Sequence, residues 1–312
     1  TNGIISKNEK IFPLGGISNS IDIMTNEQGY HPIFMRDKFG FRNPSEIYEK
    51  KIDVMLIGDS FAEGVAVNYE DTIQGNLLKN NLNTISLGSG GNGPLVELAT
   101  LIEYGKYFKP DNVIWFYFEN DIKDLENGLQ SDILKKYLFK ENFSQNLVNK
   151  QNIIDELLIA KSLDYVNNYK NYLNDNIHNK YQLIKILKLY NIRKLLDINA
   201  NSKIKKENII EQKKYRELFF KIINKAYIEV NNWGGNFYFV YLPDFINYDK
   251  NAYPLTHRIE ILDFLNNNKK FKFIDIHDEL MIKLDNPKKL FPFEIRGHFN
   301  ATENKKISEI II

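Results

Sequence analysis

Cysteine is absent from this chain of 312 residues, which excludes a disulfide framework, a thiolate metal site and a cysteine nucleophile. A surplus of either charge is lacking too, with 41 Lys and Arg against 40 Asp and Glu. That balance gives no electrostatic case for nucleic acid or an anionic membrane as the main partner. No apolar run approaches the roughly 18 residues that a membrane helix needs, and no signal-peptide pattern opens the chain. The first residue is Thr1, not Met, so the expectation is a fragment or processed form, with any signal or membrane anchor lying upstream. Oligomeric state leaves no mark in the sequence.

What is present is ordinary for a globular protein: 43% hydrophobic and 13% aromatic residues, enough to bury a large core. Residues 1–50 read as irregular, with "FPLGG" and "DKFGFRNPSE" punctuated by Gly and Pro. From residue 51 onward strands and helices alternate. Apolar runs at 54–58, 83–87, 112–118, 236–242 and 271–276 read as strands. Helices are expected at 71–80, 94–108, 255–267 and 302–311, with Pro94 in the first-turn position that Pro favours. This pattern predicts a three-layer α/β fold with about five parallel strands. The interval 122–232 breaks the rhythm. Apolar residues at helical spacing, among them Ile153, Leu157, Ile184 and Leu187, predict a helical insertion of two to four helices.

The stretch "LIGDSFAEG" (56–64) follows a strand that reads as buried. Asp59 and Ser60 both cap helices and Gly58 permits a tight turn, so a plain helix cap explains the tripeptide. A nucleophile at the mouth of an α/β sheet explains it too, provided that partners lie elsewhere. In open parallel sheets sites form beyond the carboxyl ends of the strands. Ser60, the loop "LGSGGNG" (87–93) and "FEND" (118–121) all occupy such positions, and His298 lies on a loop before the last helix. Acyl transfer needs a nucleophile, a base and donors for the oxyanion, and these residue types can supply all three.

This ordered set resembles the SGNH/GDSL hydrolase superfamily. The matching pieces are Gly58-Asp59-Ser60, the Gly-rich loop, Asn120-Asp121 and His298. The resemblance implies a flavodoxin-like sheet, Ser60 as nucleophile and His298 as base. It also implies an oxyanion hole of the Ser60 N–H, Gly91 and Asn120. Two departures stand out. Glu119 replaces the glycine usual before Asn120, and Ile295 replaces the Asp usual three residues before the histidine. Glu294 is the nearest carboxylate, so the sequence leaves open a Ser60–His298–Glu294 triad or a Ser–His dyad. The implied activity is hydrolysis of a small or saccharide acyl ester, or acetyl transfer by the same serine, at a cell envelope. No cofactor or metal is implied. A degenerate glycan-binding or partner-binding domain is the remaining alternative.

Other features have simpler readings. Gly88 to Gly93 also spells G-x-G-x-x-G, but a complete strand–helix unit precedes it, which the dinucleotide fingerprint does not expect. "GDSFAEG" lacks the Gly-Lys-Ser/Thr of a phosphate loop, and Ala62 replaces the second glycine of the G-x-S-x-G elbow. Asp275, His277 and Asp278 form a cluster that a strand end entering a helix cap explains. Arg42 reads as a pin for the N-terminal segment, and Trp115 and Tyr117 as core.

Overall fold

The computed structural model describes residues 4–5, 10–177, 209–248 and 256–312. Five parallel strands form the central sheet: β1 (Val54–Ile57), β2 (Thr84–Ser86), β3 (Asn112–Tyr117), β4 (Asn236–Tyr241) and β5 (Lys272–Asp275). Their spatial order is β2-β1-β3-β4-β5, the 2-1-3-4-5 order of flavodoxin-like doubly wound sheets. Register is continuous across the middle, where Ile57 lies beside Trp115 and Trp115 beside Phe239.

The runs read as strands because both faces of the sheet are buried, which removes the polar alternation of a half-exposed strand. Met55, Ile57, Val113, Trp115, Tyr117, Phe237 and Phe239 face one core. Val54, Leu56, Ile114, Phe116 and Val240 face the other. Trp115 and Tyr117 are therefore core residues, fully enclosed. The short helix α1 (Ser60–Glu63) follows β1, and α2 (Ile73–Lys79) follows in turn, N-capped by the Thr72 hydroxyl on the Gly75 N–H. After β2, α3 (Pro94–Thr100) runs on into a π-helical turn, Leu101–Gly105, inside the helix expected at 94–108. The last helix, α9 (Ala301–Ile311), packs Ile307 into the core that α2 reaches with Ile73 and Leu77.

Between β3 and β4 the described residues contain four α-helices: α4 (Asp121–Gly128), α5 (Asp132–Phe139), α6 (Gln151–Ile177) and α7 (Ile209–Asn232). Helix α7 buries Phe219, Ile222, Ile223, Ala226 and Val230, a stripe at helical spacing that joins the first core. Helix α8 (Thr256–Asn267) then connects β4 to β5. Of the apolar positions expected to face inward on α6, Leu157 packs against the core but Ile153 is exposed, its neighbour Ile154 taking the buried place. Ile184 and Leu187 lie outside the described residues. Among the described residues no helix is long and apolar enough to cross a membrane.

The N-terminal segment is more ordered than its Gly and Pro punctuation implies. Ile4–Ile5 pairs antiparallel with Lys10–Ile11, and Ile21–Ile23 pairs with Ile33–Met35. The second hairpin is held by Arg36, which pairs with Asp22 and donates from Nη1 to the Gly40 carbonyl at 2.7 Å. Arg42 is buried and donates to the carbonyls of Glu63, Gly64 and Val67, so it pins this segment to the loop after α1. Asn43 donates to the Ser86 carbonyl at 3.0 Å, tying the segment to the sheet edge as well.

Candidate active site

The strand ends of β1, β2 and β3 meet at one rim. There Asp59 caps α1 by accepting the Phe61 N–H at 2.9 Å, which fixes the turn that presents Ser60. The β2 loop comes very close: a Cβ at Gly88 would stand 2.6 Å from the Ala62 Cβ and 2.8 Å from the Asp59 carbonyl, so no larger residue fits. Two residues on, a Cβ at Gly90 would lie 3.8 Å from the Ser60 Cβ.

His298 reaches this rim from the loop before α9, and its Nε2 lies 2.8 Å from the Ser60 Oγ. The face of the imidazole is set by Phe61, whose ring lies 4.8 Å away and packs in turn on Phe118 and Phe299. The other ring nitrogen, Nδ1, lies 2.8 Å from the Glu27 Oε1. Glu27 Oε2 also accepts the backbone N–H of His298 at 2.7 Å. A carboxylate that accepts at Nδ1 selects the tautomer with the proton there, leaving Nε2 to accept the Ser60 hydroxyl proton.

The carboxylate at His298 is thus Glu27, from the loop closing the N-terminal hairpin, and not Glu294. Phe293 and Glu294 adopt left-handed backbone (φ 52° and 56°), and the Glu294 carboxylate accepts from the Asn286 amide at 3.2 Å on the surface. One-residue displacement was not bridged by the longer side chain because that turn points it elsewhere. Sequence reasoning missed Glu27, which is 271 positions from its partner. A faint signal was Gly297: a Cβ there would sit 2.9 Å from the Glu27 Oε2, so glycine immediately before His298 makes room for a carboxylate.

Electrostatics follow from these contacts. The His298 hydrogen bond holds the Glu27 carboxyl below its ordinary value, outweighing the opposite push of partial burial. Burial raises Asp59, while the Phe61 N–H, His298 and the Asn120 amide each pull it back. Beneath the rim Glu97 and Asp121 are fully enclosed, and burial pushes both well up, helped at Glu97 by the Asp121 carboxyl and at Asp121 by Asp59.

The donors expected for an oxyanion are placed less uniformly. Gly91 is exposed with φ 79°, whereas the neighbouring Gly90 N–H is already donated to the Glu63 carboxylate at 2.7 Å. Asn120 is exposed at the N-terminus of α4, and its amide donates to Asp124 Oδ2 at 2.9 Å. Glu119, in the place of the usual glycine, turns away from Ser60 and accepts from the Tyr241 hydroxyl at 2.6 Å and the Asn247 amide at 3.0 Å.

Elsewhere the sequence clusters are structural. Arg258 bridges Asp275 and Asp278, and His277 Nδ1 lies 2.8 Å from the Tyr248 hydroxyl. Among the described residues no group of three His, Cys, Asp or Glu side chains is placed to hold a metal ion. The G-x-G-x-x-G loop follows the edge strand β2, and its Gly90 N–H is spent on Glu63 rather than free for a phosphate. A cavity of about 870 Å³ opens between Lys106, Phe139, Lys225 and Trp233 and contains none of the rim residues. Size alone does not locate the chemistry here.

No protein-family model matches the chain, and no curated protein matches its sequence. Solved structures similar to it include the following three. A putative lipolytic protein of the G-D-S-L family from Desulfitobacterium hafniense DCB-2 shares 12% identity at a TM-score of 0.42, over 83% of this chain and 97% of that one. A family 3 carbohydrate esterase from Clostridium thermocellum shares 13% at 0.38, over 84% and 94%. The acetyl xylan esterase AlAXEase shares 14% at 0.39, over 83% and 96%. These are likenesses of overall fold at low identity, and the site rests on its own geometry.

Proposed function

We propose that this protein is a serine-dependent acyl-ester hydrolase of SGNH type. The observation that carries the reading is the unbroken line Ser60 Oγ, His298 Nε2, His298 Nδ1, Glu27 Oε1, with 2.8 Å at each hydrogen bond. In this reading Ser60 attacks the acyl carbonyl as His298 takes its proton at Nε2. Glu27 orients the ring and stabilises the imidazolium that forms. His298 then protonates the leaving alkoxide. A water, deprotonated by the same nitrogen, resolves the acyl-enzyme. The backbone N–H groups of Ser60 and Gly91 and one N–H of the Asn120 amide are the proposed oxyanion donors. Asn120 has two such hydrogens; Asp124 and Asp59 both draw on the amide in this structure, so in this reading one of those bonds is exchanged for the oxyanion.

Exposure favours a short acyl group on a larger alcohol. Gly91 and Asn120 lie open to solvent and Ser60 and His298 are partly so, which suits an O-acetylated saccharide better than a long acyl chain. Transfer of the acetyl group to a saccharide hydroxyl would use the same acyl-enzyme.

Treatment with a fluorophosphonate probe tests the reading. One label per chain is expected, on Ser60, together with hydrolysis of an aryl acetate. Both should vanish in Ser60→Ala and His298→Ala. The double variant should be little worse than either single one, because the two residues act as a unit. Full turnover by a folded Ser60→Ala protein would overturn it.

A further inference from the structure

Behind the Gly-rich loop lies a second, smaller cavity of about 290 Å³. Its floor and walls come from three separate parts of the chain: segment 12–16 with Arg36 of the hairpin, Ser89 and Asn92 of the loop, and Leu158 and Lys161 of α6. The cavity and the proposed site lie against the same loop. Ser89 and Asn92 flank Gly90, the residue whose Cβ would stand 3.8 Å from that of Ser60. The recess is thus one loop away from Ser60, and it is not apolar.

Its chemistry is one-sided. Arg36 and Lys161 supply two cations, Ser89 a hydroxyl and Asn92 an amide, and no Asp or Glu lies among the residues that line it. The Asn92 Nδ2 is buried without a hydrogen-bond partner, a donor left unmet inside the fold. Arg36 is held in place by Asp22 and the Gly40 carbonyl, with Glu63 Oε1 3.6 Å behind it. Asp22 and Glu63 thus offset much of its charge, but neither lines the cavity. Lys161 is exposed at the cavity's α6 wall. Phe12 and Leu158 add apolar surface of the kind that a sugar ring packs on.

Resting on the esterase reading for its substrate, we propose that this cavity is a subsite for an anionic saccharide unit next to the ester-bearing one, recognised by Lys161, Arg36 and the Asn92 amide. A neutral saccharide would leave Lys161 without an opposite charge, whereas a carboxylate or phosphate oxygen would supply one and accept from the unmet Asn92 amide.

Binding to the full-length Ser60→Ala protein tests this without any turnover, so it is read independently of whether the protein is an esterase. The probes are a trimer of galacturonic acid and the same trimer with its carboxylates converted to carboxamides, measured by calorimetry at low ionic strength. The acidic trimer should bind about tenfold more tightly, the scale of one charged hydrogen bond. Lys161→Glu, at an exposed position where folding is not at stake, should abolish that preference. Asn92→Ala should weaken it, while binding of the amidated trimer should be unchanged by Lys161→Glu. Glucose 6-phosphate as competitor tells the source of the charge: displacement of the trimer points to any anionic sugar, and no displacement to a carboxylate-bearing one. Equal binding of the acidic and amidated trimers, or a preference that survives both substitutions, overturns the proposal. Loss of fluorophosphonate labelling would instead overturn the esterase reading and leave the binding result standing.

Discussion

Two parts of the molecule meet at His298, and they are built on opposite terms. The strand ends that carry Ser60 and Asn120 grow out of a sheet buried on both faces, with Leu56, Ile57 and Trp115 fully enclosed. The hairpin that carries Glu27 buries little of itself: Ile21, Ile23, Ile33 and Met35 are all more than half exposed, on one face of the two-stranded pair. What holds the hairpin is polar, namely Arg36 with Asp22 and the Glu27 contacts to His298. Ser60 is thus fixed by the core, and the carboxylate at His298 by a handful of hydrogen bonds. Glu27 is set by contacts outside the core, whereas Ser60 follows directly from a buried strand.

Catalysis gives the largest expected effect. Glu27→Gln keeps the shape but removes the charge that stabilises the imidazolium, and should cut kcat by about 10²–10⁴ with little change in unfolding midpoint. Glu294→Gln, made in parallel, should leave turnover unchanged because its carboxylate reaches only Asn286. The reverse pattern would return the acid to the histidine loop. Asn120→Ala comes next. Loss of one oxyanion donor costs on the order of 10²–10³ in kcat, with KM for an aryl acetate nearly constant. An unchanged kcat would mean that the Asn120 amide serves only Asp124 and Asp59.

How much of this was legible follows the same division. The five strands, their parallel order and the rim positions of Ser60, Asn120 and His298 could be read because strand ends in such a sheet converge by topology alone. Ile57 and Trp115 announce buried strands, and residues three beyond each end must share a rim. Glu27 had no comparable signal. Its hairpin alternates Ile-Asp-Ile at 21–23 and lies among Gly, Asn and Pro residues that read as loop. Its partner is 271 residues away, and nothing in local spacing encodes that contact. The Glu294 expectation failed for a local reason: it assumed an ordinary loop, and the left-handed pair at 293 and 294 reverses the direction of the side chain.

Packing sharpens the contrast on the scale of stability. Leu56→Ala, at a fully enclosed position between β2 and β3, should cost about 2–5 kcal/mol by removing methyl groups and leaving a cavity. Ile23→Ser, on the exposed hairpin face, should stay within about 0.5 kcal/mol. Urea unfolding of the two variants decides this. A loss above about 1 kcal/mol at Ile23 would mean that the hairpin's apolar face is covered in solution.

Acid and alkali should pull the two regions in opposite directions, the smallest effect and the most specific. The Glu27 carboxyl is held below its ordinary value of 4.5 by His298, so the folded state binds its proton less readily than the unfolded chain. Its contribution to stability is present above pH 4.5 and is lost as pH falls through the lowered value. Glu97 and Asp121 behave the other way. Burial raises them well above their ordinary 4.5 and 3.8, so the folded protein keeps protons that the unfolded chain has released. Their contribution is complete below about pH 4 and is lost as pH rises toward the raised values. Urea midpoints measured from pH 3 to pH 9 should therefore fall on both sides of a maximum. Glu27→Gln should flatten only the acid limb, and Glu97→Gln only the limb above pH 5, where the buried carboxyl no longer has a proton to lose. An acid limb unchanged in Glu27→Gln would show that the hairpin carboxylate adds nothing to stability, and that its bond to His298 serves the imidazole alone.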